Sequence, residues 1–202
     1  MNLLYICLIG YLIGSVPFAY VIGTLFYHTD VREHGSGNLG GSNTGRVLGK
    51  KAGLAVMTLD LLKVTLAAYL AAKLSTHSWA MSCGALSAAI GHCYPVFLRF
   101  RGGKAVAALY GFLFALWVCG NCSPWVFFLP LLTFLTVLYL FRIVSLSSIL
   151  SALIAAVFVW AIHAHISVVT AVSVFTVLII FRHRENIQRM RSGMERKIRW
   201  MK

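Results

Sequence analysis

Residues suited to phosphate chemistry are concentrated in three polar segments of an otherwise apolar chain: 32–51, 99–104 and 182–202. Each segment contains lysine or arginine, and the first is rich in glycine, serine and asparagine. Cationic side chains and exposed backbone N–H groups are the groups with which proteins bind phosphate oxygens. If all three segments lie on one side of a membrane, we expect them to form a binding site for phosphorylated substrates.

The first segment has the composition of an anion-binding loop. Eight of the nine residues from Gly35 to Asn43 are Gly, Ser or Asn. Glycine allows the positive φ angles that turn successive N–H groups towards one anion, and Arg46 could bind two phosphate oxygens at once. A flexible linker is the alternative interpretation, although Arg46 and the asparagines argue against a plain spacer. The G-x-G-x-x-G pattern that starts at Gly35 lacks the preceding strand of a dinucleotide site, so it predicts no nucleotide cofactor.

The second segment combines the end of a helix with paired glycines. Pro95 interrupts the hydrogen bonding of the preceding helix, and Gly102-Gly103 permits close backbone approach immediately before Lys104. We expect Lys104 to bind phosphate, whereas the two arginines of this segment fit a basic loop that sets membrane topology. The alternative is that the whole segment is such a loop, beside a buried His92 bonded to a neighbour.

The third segment places His183 and Asn186 three residues apart, so they share a face if the last apolar helix continues. His183 could act as a base or a donor, and the Asn186 amide could hold a carbonyl or phosphate oxygen. The alternative is a basic amphipathic tail resting on anionic lipid, which we expect for residues 191–202. Glu195 is predicted to be a structural partner of a nearby arginine.

Two smaller features lie within the apolar stretches. Ser145, Ser147 and Ser148 begin one of these stretches, where the N-terminus of a helix favours anions. Asp60 and Lys63 lie one helical turn apart inside another. Charges buried in a membrane are candidates for function, but a self-satisfied structural pair is at least as good an interpretation here.

The cysteines and acids limit the metal and hydrolase chemistry available. Cys119 and Cys122 form a C-x-x-C pattern on the same side as His163 and His165. A zinc site is the least favoured interpretation, since one C-x-x-C is a weak signal, and a disulfide or no special role is preferred. Only five acidic residues are present, which excludes a paired-carboxylate hydrolase site. No metal site is predicted.

Composition places the three segments in an all-α integral membrane protein. The chain has 202 residues, of which 59% are hydrophobic and 11% charged, whereas soluble domains carry about 25% charged residues. The continuous apolar runs predict transmembrane helices in a seven-helix bundle. Short connections leave a single domain over 1–202, with motif loops near 28–51 and 99–104 and a basic tail at 183–202. The predicted spans are 2–25, 52–72, 78–98, 104–120, 124–141, 144–163 and 165–182.

The distribution of basic residues predicts the orientation. With seven spans, 16 of the 18 lysines and arginines fall on one side, and Lys63 and Lys73 are the exceptions. By the positive-inside rule this side is cytoplasmic, so the N-terminus is outside and the C-terminus is cytoplasmic. The first span lacks the features of a cleaved signal peptide and is expected to remain as an anchor. Anionic lipids and substrates account for the net charge of +13, so no nucleic acid is implied.

Taken together, the motifs resemble those of the bacterial acyl-phosphate:glycerol-3-phosphate acyltransferase family, often called PlsY. The resemblance runs nearly end to end, and several ordered motifs together are specific where one alone is not. It implies a multi-pass protein of the bacterial cytoplasmic membrane whose active site faces the cytoplasm. The motifs are Gly14-Ser15-x-Pro17-Phe18, Gly35-Ser-Gly-Asn38 through Asn43 and Arg46, Gly49-Lys-Lys-Ala-Gly53, Gly91-His92 with Pro95-Val-Phe97, Gly102-Gly-Lys104, Val144-Ser-Leu and His183-Arg-Glu-Asn186-Ile.

The resemblance also implies the reaction. A fatty acyl group would pass from acyl phosphate to the 1-hydroxyl of sn-glycerol 3-phosphate, giving lysophosphatidic acid and phosphate in the first acylation of phospholipid synthesis. The family is thought to let a substrate phosphate accept the hydroxyl proton. No covalent intermediate, metal, coenzyme A or other cofactor is implied. The expected partners are the two substrates, the anionic bilayer and the enzyme that supplies acyl phosphate.

Site residues follow from the same motifs. The residues expected to act in catalysis are Ser36, Asn43, Lys104, His183 and Asn186. Those expected to bind substrate or phosphate are Gly37, Asn38, Gly41, Ser42, Arg46, His92, Gly102, Gly103 and Ser148. Glu195 is expected to be structural.

The chain departs from the family pattern at two places. Gly40-Gly41-Ser42-Asn43 stands where the family usually has Gly-Ala-Thr-Asn, and serine keeps the hydroxyl. Ala105 and Ala108 replace the last Gly and the Thr of Gly-Gly-Lys-Gly-Val-Ala-Thr. A methyl at Ala105, beside the expected acceptor pocket, fits a paralogue with another acceptor or a weakly active binding subunit. A small transporter of phosphate or organic anions is the remaining alternative, but no inverted repeat with broken helices supports it.

Overall fold

The computed structural model describes residues 1–198, and within this range all regular secondary structure is helical. The all-α prediction is confirmed for these residues; the last four of the predicted basic tail, 199–202, lie outside them. The α-helices are α1 (Leu3–Gly14), α2 (Phe18–Tyr27), α3 (Gly41–Val47), α4 (Lys50–Leu74), α5 (Ala80–Cys93), α6 (Val106–Val118), α7 (Trp125–Phe141), α8 (Val144–Ala161), α9 (Ile166–Arg182) and α10 (Arg184–Arg191), with a 3₁₀ turn at Val96–Leu98.

Several of these helices are long and apolar enough to cross a membrane. The α1–α2 pair (Leu3–Tyr27), α4, α8 and the stretch Ala80–Leu98 each meet this criterion. A fifth is added if α9 and α10, which meet at a bend of 57°, count as one span. Helices α6 and α7 are apolar but shorter, with 13 and 17 residues. The structure therefore supports four or five spans by length and composition, and the seven-span count stays a prediction.

The chain divides into two compact units, 1–115 and 116–202. In the first unit, α1 packs on α5 through small residues. A Cβ added to Gly10 would lie 2.6 Å from the Gly84 carbonyl oxygen, and one added to Gly14 would lie 2.0 Å from that of Ala88. Small residues of this kind let the backbones of membrane helices approach closely. Helix α4 packs against α5, α1 and α3 in the same unit.

The first apolar stretch is broken at Gly14-Ser15-x-Pro17, a sequence that favours a kink or a close helix contact. Helix α1 ends at Gly14, and α2 begins at Phe18. Pro17 has no N–H, which prevents one continuous helical ladder. The Ser15 hydroxyl donates to the Tyr11 carbonyl at 2.8 Å and satisfies part of the helix end.

In the second unit, α8 packs between α7 and α9. The buried Thr176 hydroxyl lies 3.1 Å from the Ala152 carbonyl oxygen and 2.8 Å from that of Val172, and so links α9 to α8. Such interhelical hydrogen bonds contribute to the association of apolar helices. This unit also carries the third polar segment.

Candidate active site

Asn43 organises the first polar segment by using both ends of its amide. Its Nδ2 donates to the carbonyl oxygens of Val31 at 2.9 Å and His34 at 3.2 Å. Its Oδ1 accepts from the Ser36 backbone N–H at 2.8 Å and lies 3.1 Å from the Ser36 hydroxyl. Asn43 is only 2% exposed. The contacts observed for Asn43 therefore hold the loop that presents Ser36.

The glycine-rich stretch is half loop and half helix. Gly35 and Gly37 adopt the positive φ angles, 66° and 68°, that the anion-nest hypothesis requires. From Gly41 onwards the chain instead forms the seven-residue helix α3, which lies so close to α4 that a Cβ on Gly53 would meet the Cα of Gly45 at 2.5 Å. Of the expected binding residues in this stretch, Gly37, Ser42 and Arg46 are exposed and Asn38 is half-buried.

The second polar segment is packed directly against the end of α5. The Gly103 N–H donates to the His92 carbonyl at 2.9 Å. A Cβ on Gly102 would lie 2.2 Å from the same oxygen, and one on Gly103 would lie 2.0 Å from His92 Nε2. The close approach of this backbone to His92 therefore requires glycine at both positions. The contacts fix the backbone that leads to the half-buried Lys104.

His92 is buried beside an ion pair on α4. Lys63 Nζ lies 2.7 Å from Asp60 Oδ1, and His92 Nδ1 lies 3.5 Å from the same oxygen. Lys63 also donates to the Val16 carbonyl at 2.8 Å, in the break between α1 and α2. The spacing of Asp60 and Lys63 already indicated their pairing, whereas the contact with His92 was missed because no local pattern links residues 32 positions apart.

Ala105 has a backbone conformation that alanine does not favour. Its φ is +60°, in the left-handed region, and the residue is fully buried. A side chain there costs about 1 kcal/mol or more relative to glycine. The departure from the family pattern at this position thus has a local structural consequence, namely strain immediately after Lys104.

The first two polar segments are joined by a hydrophobic cluster within the first unit. Val31, which immediately precedes the first segment, and Leu39 within it pack with Leu98, which precedes the second. Ala19 of α2 and Val56 of α4 complete the cluster. The structure therefore brings these two segments together. The third segment belongs to the other unit, so its convergence with them stays a prediction.

His183 lies at the bend between α9 and α10, so the last apolar helix does not continue straight through it. The ring is 4% exposed, and Nδ1 lies 2.8 Å from the Ile179 carbonyl oxygen. A carbonyl can only accept, so Nδ1 carries the proton. In the neutral ring Nε2 is then the acceptor. This tautomer suits a residue that orients a hydroxyl.

Asn186, the other expected catalytic residue of this segment, is held by Glu195. Asn186 Nδ2 donates to Glu195 Oε1 at 2.6 Å, and the Ser145 hydroxyl donates to the same oxygen at 2.8 Å. Arg189 Nε donates to Oε2 at 2.9 Å. Burial alone would raise the pKa of Glu195, but the three hydrogen bonds outweigh it and hold the pKa below its ordinary value. The sequence pointed to an arginine partner for Glu195, but gave no signal for Ser145.

The remaining predicted residues of the second unit have local partners. The Ser148 hydroxyl donates to the Val144 carbonyl at 2.8 Å and is 1% exposed, so a phosphate contact requires this hydrogen bond to break. Cys119 and Cys122 are thiols rather than a disulfide. Burial raises the pKa of the Cys122 thiol. Within residues 1–198, no group of three or more His, Cys, Asp or Glu side chains is placed to hold a metal.

Comparison with known proteins agrees with these motifs over nearly the whole chain. A family model described as glycerol-3-phosphate acyltransferase matches residues 4–193. The protein of that name from Geobacillus kaustophilus (strain HTA426) is 47% identical over 196 residues, which are 96% of this chain and 95% of that protein. The chain belongs to the glycerol-3-phosphate acyltransferase family. A further family member, from Bacillus cytotoxicus, is 44% identical over 100% of this chain and 98% of the Bacillus protein.

Solved structures of the glycerol-3-phosphate acyltransferase family share the fold. A crystal structure of PlsY, described as an integral membrane glycerol 3-phosphate acyltransferase in its glycerol 3-phosphate form, has a TM-score of 0.89 at 38% identity, covering 97% of this chain and 95% of that one. The lysophosphatidic acid form gives 0.87 at 37% identity with the same coverage. The family and the apolar helices together make the chain a multi-pass membrane protein.

Proposed function

We propose that the protein transfers a fatty acyl group from acyl phosphate to the 1-hydroxyl of sn-glycerol 3-phosphate. The products are lysophosphatidic acid and phosphate. The observation that carries this proposal is the near-complete match to a PlsY whose structures are described as glycerol 3-phosphate and lysophosphatidic acid forms. The reaction would begin phospholipid synthesis, and it requires an enzyme that supplies acyl phosphate.

The proposed topology has seven spans, an outside N-terminus and a cytoplasmic C-terminus in the bacterial inner membrane. The seven apolar stretches of the sequence and the clustering of 16 of 18 basic residues support it. Soluble glycerol 3-phosphate would then be bound on the cytoplasmic side, and the acyl chain would come from the bilayer. The protein would act as one polytopic acyltransferase domain over residues 1–202.

In the first unit, the proposed task is to bind phosphate. Lys104 follows the fixed Gly102–Gly103 backbone, and Arg46 is an exposed guanidinium on α3. The loop that presents Ser36 is held by Asn43. Fixed donors and cations suit two anionic substrates, because much of the barrier to acyl transfer comes from orientation and developing charge.

In the second unit, the proposed task is to orient the reacting groups. The Nδ1–Ile179 contact fixes the His183 tautomer, and Glu195 fixes the Asn186 amide. The hydroxyl oxygen of the acceptor attacks the acyl carbonyl carbon, and the bond to the phosphate oxygen breaks. The hydroxyl proton passes to a phosphate, so His183 orients and no covalent acyl-enzyme forms. Ser148 joins phosphate binding only if its hydroxyl leaves the Val144 carbonyl.

The test is a direct assay with purified protein, acyl phosphate and labelled glycerol 3-phosphate. Phosphate release and a labelled lysolipid in equal amounts are expected. Absence of both refutes the proposal, and activity with acyl-CoA alone would overturn the acyl phosphate assignment. A lysolipid formed only with another phosphorylated acceptor would identify a paralogue with a different acceptor. Ala105, where the resemblance leads us to expect glycine, is the reason to test this alternative.

A further inference from the structure

A buried charged cluster of the first unit contains two residues, Asp60 and Lys63, to which the reaction described above assigns no role. It consists of Asp60, Lys63 and His92, whose side chains are 3%, 4% and 5% exposed. Charges in the membrane interior are costly and mark candidate functional sites. The cluster joins three elements, because Asp60 and Lys63 lie on α4, His92 lies near the end of α5, and Lys63 reaches the carbonyl of Val16.

Stability alone is a weak explanation for this cluster. The Asp60–Lys63 pair is close, at 2.7 Å, and each partner compensates the charge of the other. Yet a well-packed apolar pair is often as stable as a buried ion pair or more so. A carboxylate at this place therefore calls for a further purpose, and His92 is the neighbour through which it can act.

Asp60 can orient the imidazole of His92. The carboxylate lies 3.5 Å from His92 Nδ1, and because a carboxylate only accepts, it attracts the ring in the orientation that turns an Nδ1 proton towards it. The opposite nitrogen, Nε2, faces Gly103, where a Cβ would lie only 2.0 Å away. The ring thus stands between the Asp60 carboxylate and the glycine that precedes Lys104.

His92 contacts this backbone in two ways. Its ring lies against Gly103, and its carbonyl oxygen accepts the Gly103 N–H at 2.9 Å. The same carbonyl leaves no room for a side chain at Gly102. The orientation of the His92 ring is therefore coupled by packing to the glycine pair that precedes Lys104.

We propose that Asp60 is a positioning residue for acyl transfer, which acts through His92 and the Gly102–Gly103 backbone to set the position of the Lys104 ammonium. The proposal rests on the proposed function, in which Lys104 binds phosphate, and it adds that this phosphate is that of glycerol 3-phosphate. Loss of Asp60 then weakens acceptor binding more than it slows turnover. Outer-shell partners that orient ligands in metal sites typically contribute 10–100-fold, which sets the scale.

The test removes both charges of the ion pair together, because Asp60→Asn alone would leave the Lys63 ammonium buried without its carboxylate. For the double variant Asp60→Asn with Lys63→Met, we expect KM for glycerol 3-phosphate to rise on the order of tenfold. We expect kcat and KM for acyl phosphate to stay near those of the unsubstituted protein. Unchanged KM for glycerol 3-phosphate, or a fall in kcat alone, overturns the proposal.

A second cycle tests the route through Lys104. In a Lys104→Ala background the double variant should raise KM no further, because coupled residues have non-additive effects. Additive effects overturn the proposal even if the double variant alone raises KM. Thr65→Val is the matched control on the same helix, since Thr65 bonds Gly111 and lies outside the site. It should leave KM unchanged.

A third variant keeps the test decisive if the double variant does not fold. His92→Asn retains a donor towards Asp60 but removes the far edge of the ring that faces Gly103. We expect a raised KM for glycerol 3-phosphate, and an unchanged KM refutes the proposal. The proposed function is tested separately, by product formation in the unsubstituted protein and by the loss of affinity for glycerol 3-phosphate in Lys104→Ala.

Discussion

Two regions of the molecule solve the same problem, the fixing of a polar segment beside apolar helices, by different means. In the first unit the neutral amide of Asn43 bonds backbone groups within 12 residues of itself. In the second unit the ionised carboxylate of Glu195 gathers side-chain donors, of which Ser145 is 50 residues away. The amide restrains a loop locally, whereas the carboxylate ties separate elements together and depends on its charge.

The largest effect is expected at Asn43. Asn43→Ala leaves the carbonyl oxygen of buried Val31 without this partner, at a cost of about 1–3 kcal/mol. It also removes the hydrogen bonds to His34 and Ser36, which are exposed residues, at about 0.5–1.5 kcal/mol each. A loss of about 3 kcal/mol or more corresponds to a melting temperature lower by roughly 10 °C in a chain of this size. Thermal unfolding in detergent measures it.

Thr44→Val is the control for Asn43, because it removes one hydrogen bond from the adjacent buried residue. Its effect should be markedly smaller. An equal fall in melting temperature for both variants would mean that Asn43 has no special part in holding the loop.

A somewhat smaller effect is expected at Glu195. Glu195→Ala removes the common acceptor of Ser145, Asn186 and Arg189, for which we expect a loss of about 2 kcal/mol, or roughly 6 °C in melting temperature. The melting temperature of Glu195→Gln should lie between those of Glu195→Ala and the unsubstituted protein, because an amide keeps an acceptor oxygen but not the charge that pairs with Arg189. Exposed Glu185 offers a matched control, and a Glu185→Gln change as large as that of Glu195→Gln would contradict the assignment.

The smallest effect, and the one that separates the two regions most clearly, is the dependence on pH. The folded-state pKa of Glu195 is lowered, so its stabilisation is present above the ordinary carboxyl value of 4.5 and is lost as pH falls through the lower folded value. The difference in melting temperature between the unsubstituted protein and Glu195→Gln should therefore shrink below about pH 4.5.

The corresponding difference for Asn43→Ala should stay constant over that range, because an amide does not titrate. Melting curves from about pH 3 to 7 measure both. A Glu195→Gln difference that is flat with pH would show that the carboxylate acts only as a neutral acceptor would.

How far the sequence predicts this structure depends on the range over which a residue acts. The break at Gly14-Ser15-x-Pro17 and the Asp60–Lys63 pair follow from local spacing, and the structure shows both. Helix α3 is less predictable, because glycine disfavours helices and packing against Gly53 overrides that preference.

Contacts across long separations carry no such local signal. The approach of His92 to Asp60, and of Ser145 to Glu195, depends on which helices pack together. The positive φ of Ala105 lies between these cases. The glycine that the resemblance leads us to expect at this position would indicate a left-handed backbone, but the alanine of this chain gives no such signal.

The glycine contacts between α1 and α5 bear on how the chain is made. Gly84 follows Gly10 by 74 residues, so α1 leaves the ribosome well before its partner is synthesised. During that interval the glycine face of α1 contacts lipid, which accepts an apolar helix whether its face carries glycine or a bulkier side chain. The association of α1 with α5 comes afterwards. A bulky residue at Gly14, whose Cβ would meet Ala88 at 2.0 Å, should therefore permit insertion but block assembly. The result would be a full-length chain, extracted with the membrane fraction and rapidly degraded by proteases.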